Sequence, residues 1–177
     1  VVQVYVSVGS NIDRRNAIVR GIDFLRVRFV RLRVSSVYES EAVGFTGASF
    51  YNLVVGFVTE LPAAKVAGEL RAIEERCGRL RTGAQWCSRT LDLDLLTYGQ
   101  SVMHANGLVL PRPEILTAPF VLRPLAEIAA QALHPVTKRS FAEHWMDFDG
   151  EKDAIWPVAL RLDAEAPAAI SHRALDR

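Results

Sequence analysis

Gly78-Arg79-Leu80-Arg81-Thr82-Gly83-Ala84-Gln85-Trp86-Cys87-Ser88-Arg89-Thr90-Leu91-Asp92-Leu93-Asp94-Leu95-Leu96 opens as a Gly-punctuated arginine loop and closes as a strand. Leu91, Leu93 and Leu95 alternate with Thr90, Asp92 and Asp94, the two-residue period of a strand with unlike faces. Successive strand side chains point to opposite sides, so Asp92 and Asp94 share a face, with Cα atoms roughly 6.5–7 Å apart. Two carboxylates at that spacing can hold a hard cation. Magnesium with a polyphosphate suits them, because Mg²⁺ takes one or two carboxylates and completes its shell from phosphates and water. The plainer reading, the wet side of a half-buried strand, fits the alternation as well. The loop adds Arg79, Arg81 and Arg89, whose guanidinium groups are preferred forks for phosphate oxygens. Trp86 between them could stack on a flat heterocycle or anchor the core.

Working towards the N-terminus, Pro62 at a helix first turn precedes Val66, Leu70, Ile73 and Cys77 at helical spacing, and Gly78 ends the run. Arg71 and Glu74, three apart, read as an ordinary surface pair. Asn52 to Val58 reads as an apolar strand whose opening asparagine caps its edge or pairs with a ligand edge. Glu39 to Phe50, with Gly44 and Gly47, reads as a loop of functional length. Val30, Leu32 and Val34 alternate with Arg31, Arg33 and Ser35, which predicts a strand running to about Tyr38 with the arginines on its wet face. Ahead of it, Ile18, Ile22, Leu25 and Phe29 form the core stripe of a helix that Asp13 is positioned to cap. Arg14, Arg15, Arg20, Arg26 and Arg28 are assigned to its solvated faces. Val2 to Val8 predicts a buried strand stopped by Gly9-Ser10-Asn11. That stop reads as a plain turn, since no G-x-G-x-x-G or Walker pattern is present.

On the C-terminal side, Tyr98-Gly99-Gln100 is a hairpin-like turn, and Leu108 to Leu110 is a strand that Pro111 and Pro113 end. Leu122 to Leu133 predicts a short helix stopped by His134-Pro135. The order strand, helix, strand, strand, helix, strand predicts an α+β, ferredoxin-like antiparallel sheet with both helices on one face. Residues 1–145 are expected to form the domain. Residues 146–177 form a C-terminal extension without clear period, expected as a strap or an oligomer contact.

The chain has 177 residues, half of them apolar, and a net charge of +1. One domain with a sizeable core is expected, with no charge-driven attraction to nucleic acid or membrane. The 18 arginines against only Lys65, Lys138 and Lys152 are as readily compositional as functional. Cys77 and Cys87 form neither a C-x-x-C nor a zinc pattern, and His104, His134, His144 and His172 lack metal spacing. No apolar run reaches membrane-spanning length and no signal peptide is visible, so a cytoplasmic protein is expected, a monomer with a dimer as the alternative.

Trp86-x-x-Arg89-Thr90-Leu91-Asp92-Leu93-Asp94-Leu95-Leu96 resembles the signature of the 6-hydroxymethyl-7,8-dihydropterin pyrophosphokinases, folate-pathway enzymes that move pyrophosphate from ATP to a pterin alcohol. Landmark order carries the resemblance over roughly residues 1 to 145. It implies ATP and a hydroxymethyl-dihydropterin as substrates and two Mg²⁺ ions on Asp92 and Asp94, with Arg79 and Arg89 neutralising charge during transfer. It places Glu74, Arg81, Trp86 and Arg112 at the nucleotide. It places Ser40, Val43, Phe50, Asn52, Trp86 and Phe120 at the pterin, with Trp86 and Phe120 as the sandwiching rings. Departures from the pattern are Arg71 for a glutamine, Arg112 for a histidine, Ala118 for an arginine, Glu41 for a frequent proline, and Gln85-Trp86-Cys87-Ser88 for Arg-Trp-Gly-Pro. They keep two rivals in view: a non-catalytic binding paralogue, and a ferredoxin-like interaction domain with an acidic strand face.

Overall fold

The computed structural model describes residues 1–42, 46–78, 90–105 and 107–162. Strand β1 (Val2–Ser10) leads into helix α1 (Arg14–Arg28), then β2 (Arg33–Val34), β3 (Val37–Ser40), β4 (Phe50–Thr59), α2 (Ala63–Arg76) and β5 (Asp92–Tyr98). There follow β6 (Met103–Ala105), β7 (Leu108–Leu110), α3 (Glu114–Thr117), α4 (Pro119–Ile128), α5 (Phe141–Met146), a 3-10 turn (Lys152–Ala154) and β8 (Ile155–Val158). The main sheet runs β5-β1-β4-β3-β8, with the short β2 also on β4, while β6 and β7 form a separate hairpin. All of its pairings are antiparallel. The run β5-β1-β4-β3 is the order that a ferredoxin-like chain produces, so this expectation holds.

Alternation along the strands sorts the core into two halves. Val4, Val6 and Val8 of β1, Leu53, Val55 and Phe57 of β4, and Leu93 and Leu95 of β5 face α1 and α2. These helices meet them with Ile18, Ile22 and Leu25, and with Val66, Leu70 and Ile73. Burying such side chains contributes roughly 1.5–3 kcal/mol each. Tyr5, Val54 and Leu96 face the other way, onto Ile115, Val121, Leu122, Leu125 and Phe141. The sheet is therefore covered on both faces, with the two predicted helices on one and α3 to α5 on the other.

Several local expectations are corrected. The strand expected from Val30 starts later, because α1 ends in a turn in which Arg31 takes a left-handed φ of 60°. Val30 is exposed, and the remaining strand breaks at Ser35–Ser36 into β2 and β3. Asp13 precedes α1 but adopts a left-handed conformation and makes no side-chain cap. Its Oδ1 instead accepts from Asn16. Arg14 is not on a solvated face: its guanidinium binds Glu39 and Ser49 and lies over the Tyr51 ring. The last long helix runs Pro119–Ile128 rather than to Leu133, since Pro119 starts it in its first turn. Beyond it, Ile155–Val158 adds a strand to β3, too short to leave a period in the sequence.

Candidate active site

β5 is an edge strand of the described sheet, pairing with β1 alone. Leu93 and Leu95 anchor it in the α1/α2 core. Asp92 and Asp94 therefore fall on the opposite face, both half-buried. Between them, the Leu93 amide needs an acceptor where no strand lies, and Glu74 Oε1 of α2 supplies it at 2.8 Å. Glu74 is only 2% exposed, so it is no surface partner of the exposed Arg71. It fixes the height of the strand that carries both aspartates.

The sheet register sets the rest of the site. Tyr38 pairs with Asn52, Asn52 with Gly9, and Gly9 with Asp92, so one row crosses four strands. Residues directly opposite one another point to the same face, and two strand spacings of about 4.8 Å put Asn52 roughly 10 Å from Asp92. Gly9 stands between them. A Cβ there would lie 3.6 Å from Asn52 Oδ1 and 3.9 Å from the Phe50 ring, so its missing side chain leaves an open floor flanked by those groups. Asn52 is buried in the third position of β4, with its amide nitrogen donating to Ser40 Oγ at 2.9 Å. It is not an edge cap. Ser40 ends β3 beside Phe50, its register partner.

Arg112 joins the site from the turn after β7. Its amide donates to Leu96 O of β5 at 2.9 Å, and its Nη2 lies 3.4 Å from Asp94 Oδ1 and 3.0 Å from Glu114 Oε1. Phe120, in the first turn of α4, packs partly exposed on the cluster covering the same sheet face. Ala118 caps the start of that helix and is buried. The predicted residues Ser40, Phe50, Asn52, Asp92, Asp94, Arg112 and Phe120 thus belong to one face of the sheet. Glu74 serves it from the other side. Arg79, Arg81, Trp86, Arg89 and Val43, with Cys87 and His172, lie outside the described residues.

Two site residues were not foreseen. The sequence pattern reads Gly9 as part of a turn, yet it sits inside β1; a glycine ending a valine-rich strand is the available signal for a close approach. Glu114 carried no sequence signal beyond its nearness to Arg112. Among the described histidines, His104 is exposed, and buried His134 uses Nδ1 to accept the amides of Val136 and Thr137.

Among the described residues no group of three His, Cys, Asp or Glu side chains gathers to hold a metal. The donor set at Asp92 and Asp94 is nevertheless the one a magnesium–polyphosphate complex needs. It would offer two hard oxygen ligands on one sheet face and would leave the remaining positions to phosphate and water. Arg112 already places a cation against Asp94 there.

Paired carboxylates and an arginine on the open face of an α+β sheet form the kind of site that a metal-assisted phosphotransferase uses. The chain belongs to the 7,8-dihydro-6-hydroxymethylpterin-pyrophosphokinase (HPPK) family, whose pattern matches residues 5–130. It is 32% identical over 156 residues to the 2-amino-4-hydroxy-6-hydroxymethyldihydropteridine pyrophosphokinase of Haemophilus influenzae, covering 82% of this chain and 96% of that one. To the enzyme of the same name from Synechocystis sp. it is 37% identical over 131 residues, 74% of this chain and 66% of that one. The folic acid synthesis protein fol1 of Pneumocystis carinii is 34% identical over 145 residues, and the match spans 80% of this chain but a fifth (20%) of that longer protein. The wild-type HPPK-DHPS structure of Plasmodium falciparum shares the fold with a TM-score of 0.63 at 12% identity, over 83% of this chain and 44% of that one. No helix among the described residues is long and apolar enough to cross a membrane.

Proposed function

We propose that this chain transfers pyrophosphate from ATP to the hydroxymethyl oxygen of 6-hydroxymethyl-7,8-dihydropterin in folate biosynthesis, as a monomer in the cytoplasm. The pterin oxygen attacks the β-phosphorus in line, the bond from that phosphorus to the α-phosphate bridging oxygen breaks, AMP leaves, and the hydroxyl proton passes to solvent. Asp92 and Asp94 would hold two Mg²⁺ ions, which would offset the charge of the triphosphate. Arg79 and Arg89 neutralise charge that builds during transfer, and Arg81 and Arg112 bind the nucleotide phosphates. Asn52, oriented by Ser40, offers its amide to the pterin edge over the floor that Gly9 leaves open, beside Phe50; Val43 also contacts the pterin. Trp86 and Phe120 clasp the ring. Glu74 contributes from beneath by holding the strand that carries both aspartates. Catalysis is then chiefly positioning and electrostatics.

The observation that supports this most is the row Asn52–Gly9–Asp92, which brings an amide and a carboxylate onto one sheet face. A binding-only reading draws on Ala118, buried where the family usually carries an arginine. One assay separates them: protein, ATP, Mg²⁺ and the pterin are mixed and AMP is measured. AMP release that collapses in the Asp92→Asn, Asp94→Asn double variant is expected. Wild-type-like turnover in that variant would overturn the metal-assisted mechanism, and binding of both substrates without AMP would establish the paralogue reading.

A further inference from the structure

The backbone of Arg112 is tied at both ends, its amide to Leu96 O at 2.9 Å and its carbonyl to the Ile115 amide at 3.2 Å. The side chain is shared. Nη2 alone bridges Asp94 Oδ1 at 3.4 Å and Glu114 Oε1 at 3.0 Å, while Arg112 Nε and Glu114 Oε2 are buried and hydrogen-bonded to nothing among the described residues. A buried donor and a buried acceptor left open cost free energy, and here they belong to the two partners of a single ion pair. They are also the two atoms that a parallel fork between a guanidinium and a carboxylate would join, Nε to one oxygen and Nη2 to the other. With Nη2 also against Asp94, that fork is not closed.

We propose that Glu114 is a positioning residue that takes Arg112 off Asp94 when a divalent cation binds there. The inference rests on the reading of Asp94 as a metal ligand. In the metal-free protein Arg112 is a counter-cation of Asp94. A divalent ion on that carboxylate repels the guanidinium, which then closes its fork on Glu114 and satisfies both open atoms. Arg112 remains beside the site, available to phosphate oxygens, without competing for the metal ligand.

The test is Mn²⁺ binding to the full chain, followed by electron paramagnetic resonance with a non-hydrolysable ATP analogue held saturating. Glu114→Gln keeps the shape but turns a donor toward a donor, so the fork cannot form and Arg112 stays on Asp94. Mn²⁺ affinity should fall by about fivefold, the scale of one partly exposed charge pair. In an Arg112→Ala background the same Glu114→Gln change should leave Mn²⁺ affinity unaltered, because the competitor is gone. Equal losses in the two backgrounds would show that Glu114 acts on the ion by its own charge, and no loss in the single variant would show that it does not act at all. Either result overturns the proposal. Asp94→Asn is the control for the underlying reading. If it leaves Mn²⁺ affinity unchanged, the metal site itself is misassigned; if it abolishes binding while Glu114→Gln is silent, only the role of Glu114 fails.

Discussion

Replacing Glu74 by alanine tests whether a carboxylate beneath the sheet sets the site above it. The change removes a charged acceptor 2.8 Å from the Leu93 amide and leaves that amide without its acceptor at a position 2% exposed. Hydrogen bonds to charged groups contribute about 1.5–3 kcal/mol, and the truncation also empties the space of a methylene and a carboxyl group in a packed helix–strand seam. A total near 3 kcal/mol follows, and for a domain of this size it lowers Tm by roughly 6–12 °C. Glu74→Gln retains a carbonyl acceptor and should lose only about 1 kcal/mol. Urea unfolding followed by far-UV circular dichroism measures both variants, and Mn²⁺ titration of the folded proteins reads the position of Asp92 and Asp94. Alanine should lower stability and metal affinity together, with glutamine between alanine and wild type. If Glu74→Ala unfolds like wild type and only the KM for ATP rises, the side chain contacts nucleotide directly and the positioning argument is wrong.

Gly9→Ala should fold within about 1 kcal/mol of wild type, since its Cβ meets neighbours at 3.6 and 3.9 Å, ordinary van der Waals contact. Its pterin affinity by calorimetry should drop at least about tenfold as the floor fills, whereas unchanged affinity would remove this face as the binding site. Phe120→Ala, at a half-buried ring, should cost roughly 1–2 kcal/mol of stability and weaken pterin more than ATP; equal losses for the two substrates would argue against a ring sandwich. The Glu39 carboxyl sits below its usual range, chiefly through the Ser49 hydroxyl and then through Arg14. A depressed carboxyl pKa adds stability above the unfolded value of about 4.3 and loses it as pH falls through the folded one. Glu39→Gln should therefore unfold about 1 kcal/mol more easily than wild type at pH 7, and the gap should shrink as falling pH protonates the folded carboxyl. A gap independent of pH would assign the loss to packing.

The parts legible in the sequence are those where burial acts on one face of one element. Leu91, Leu93 and Leu95 alternate because one side of β5 packs into the α1/α2 core, while Asp92 and Asp94 on its other side stay half-buried. The stripes Ile18–Ile22–Leu25 and Val66–Leu70–Ile73 follow from the same one-sided contact. What stayed hidden depends on a second element. Helical spacing pairs Arg71 with Glu74, but it does not report that an edge strand passes beside α2 with an amide unpaired. A warning was present: Glu74 lies four residues after buried Leu70, next in line on the core stripe, where an unpartnered charge would be too costly to keep. Arg14 escapes the pattern for a like reason, since Glu39 of β3 and Ser49, just ahead of β4, are distant from it in sequence. The floor of the site was hardest to read because a glycine marks it. A charged ligand announces itself by its chemistry, whereas Gly9 acts through the volume it leaves free, which becomes visible only once the register sets Asn52 on one side of it and Asp92 on the other.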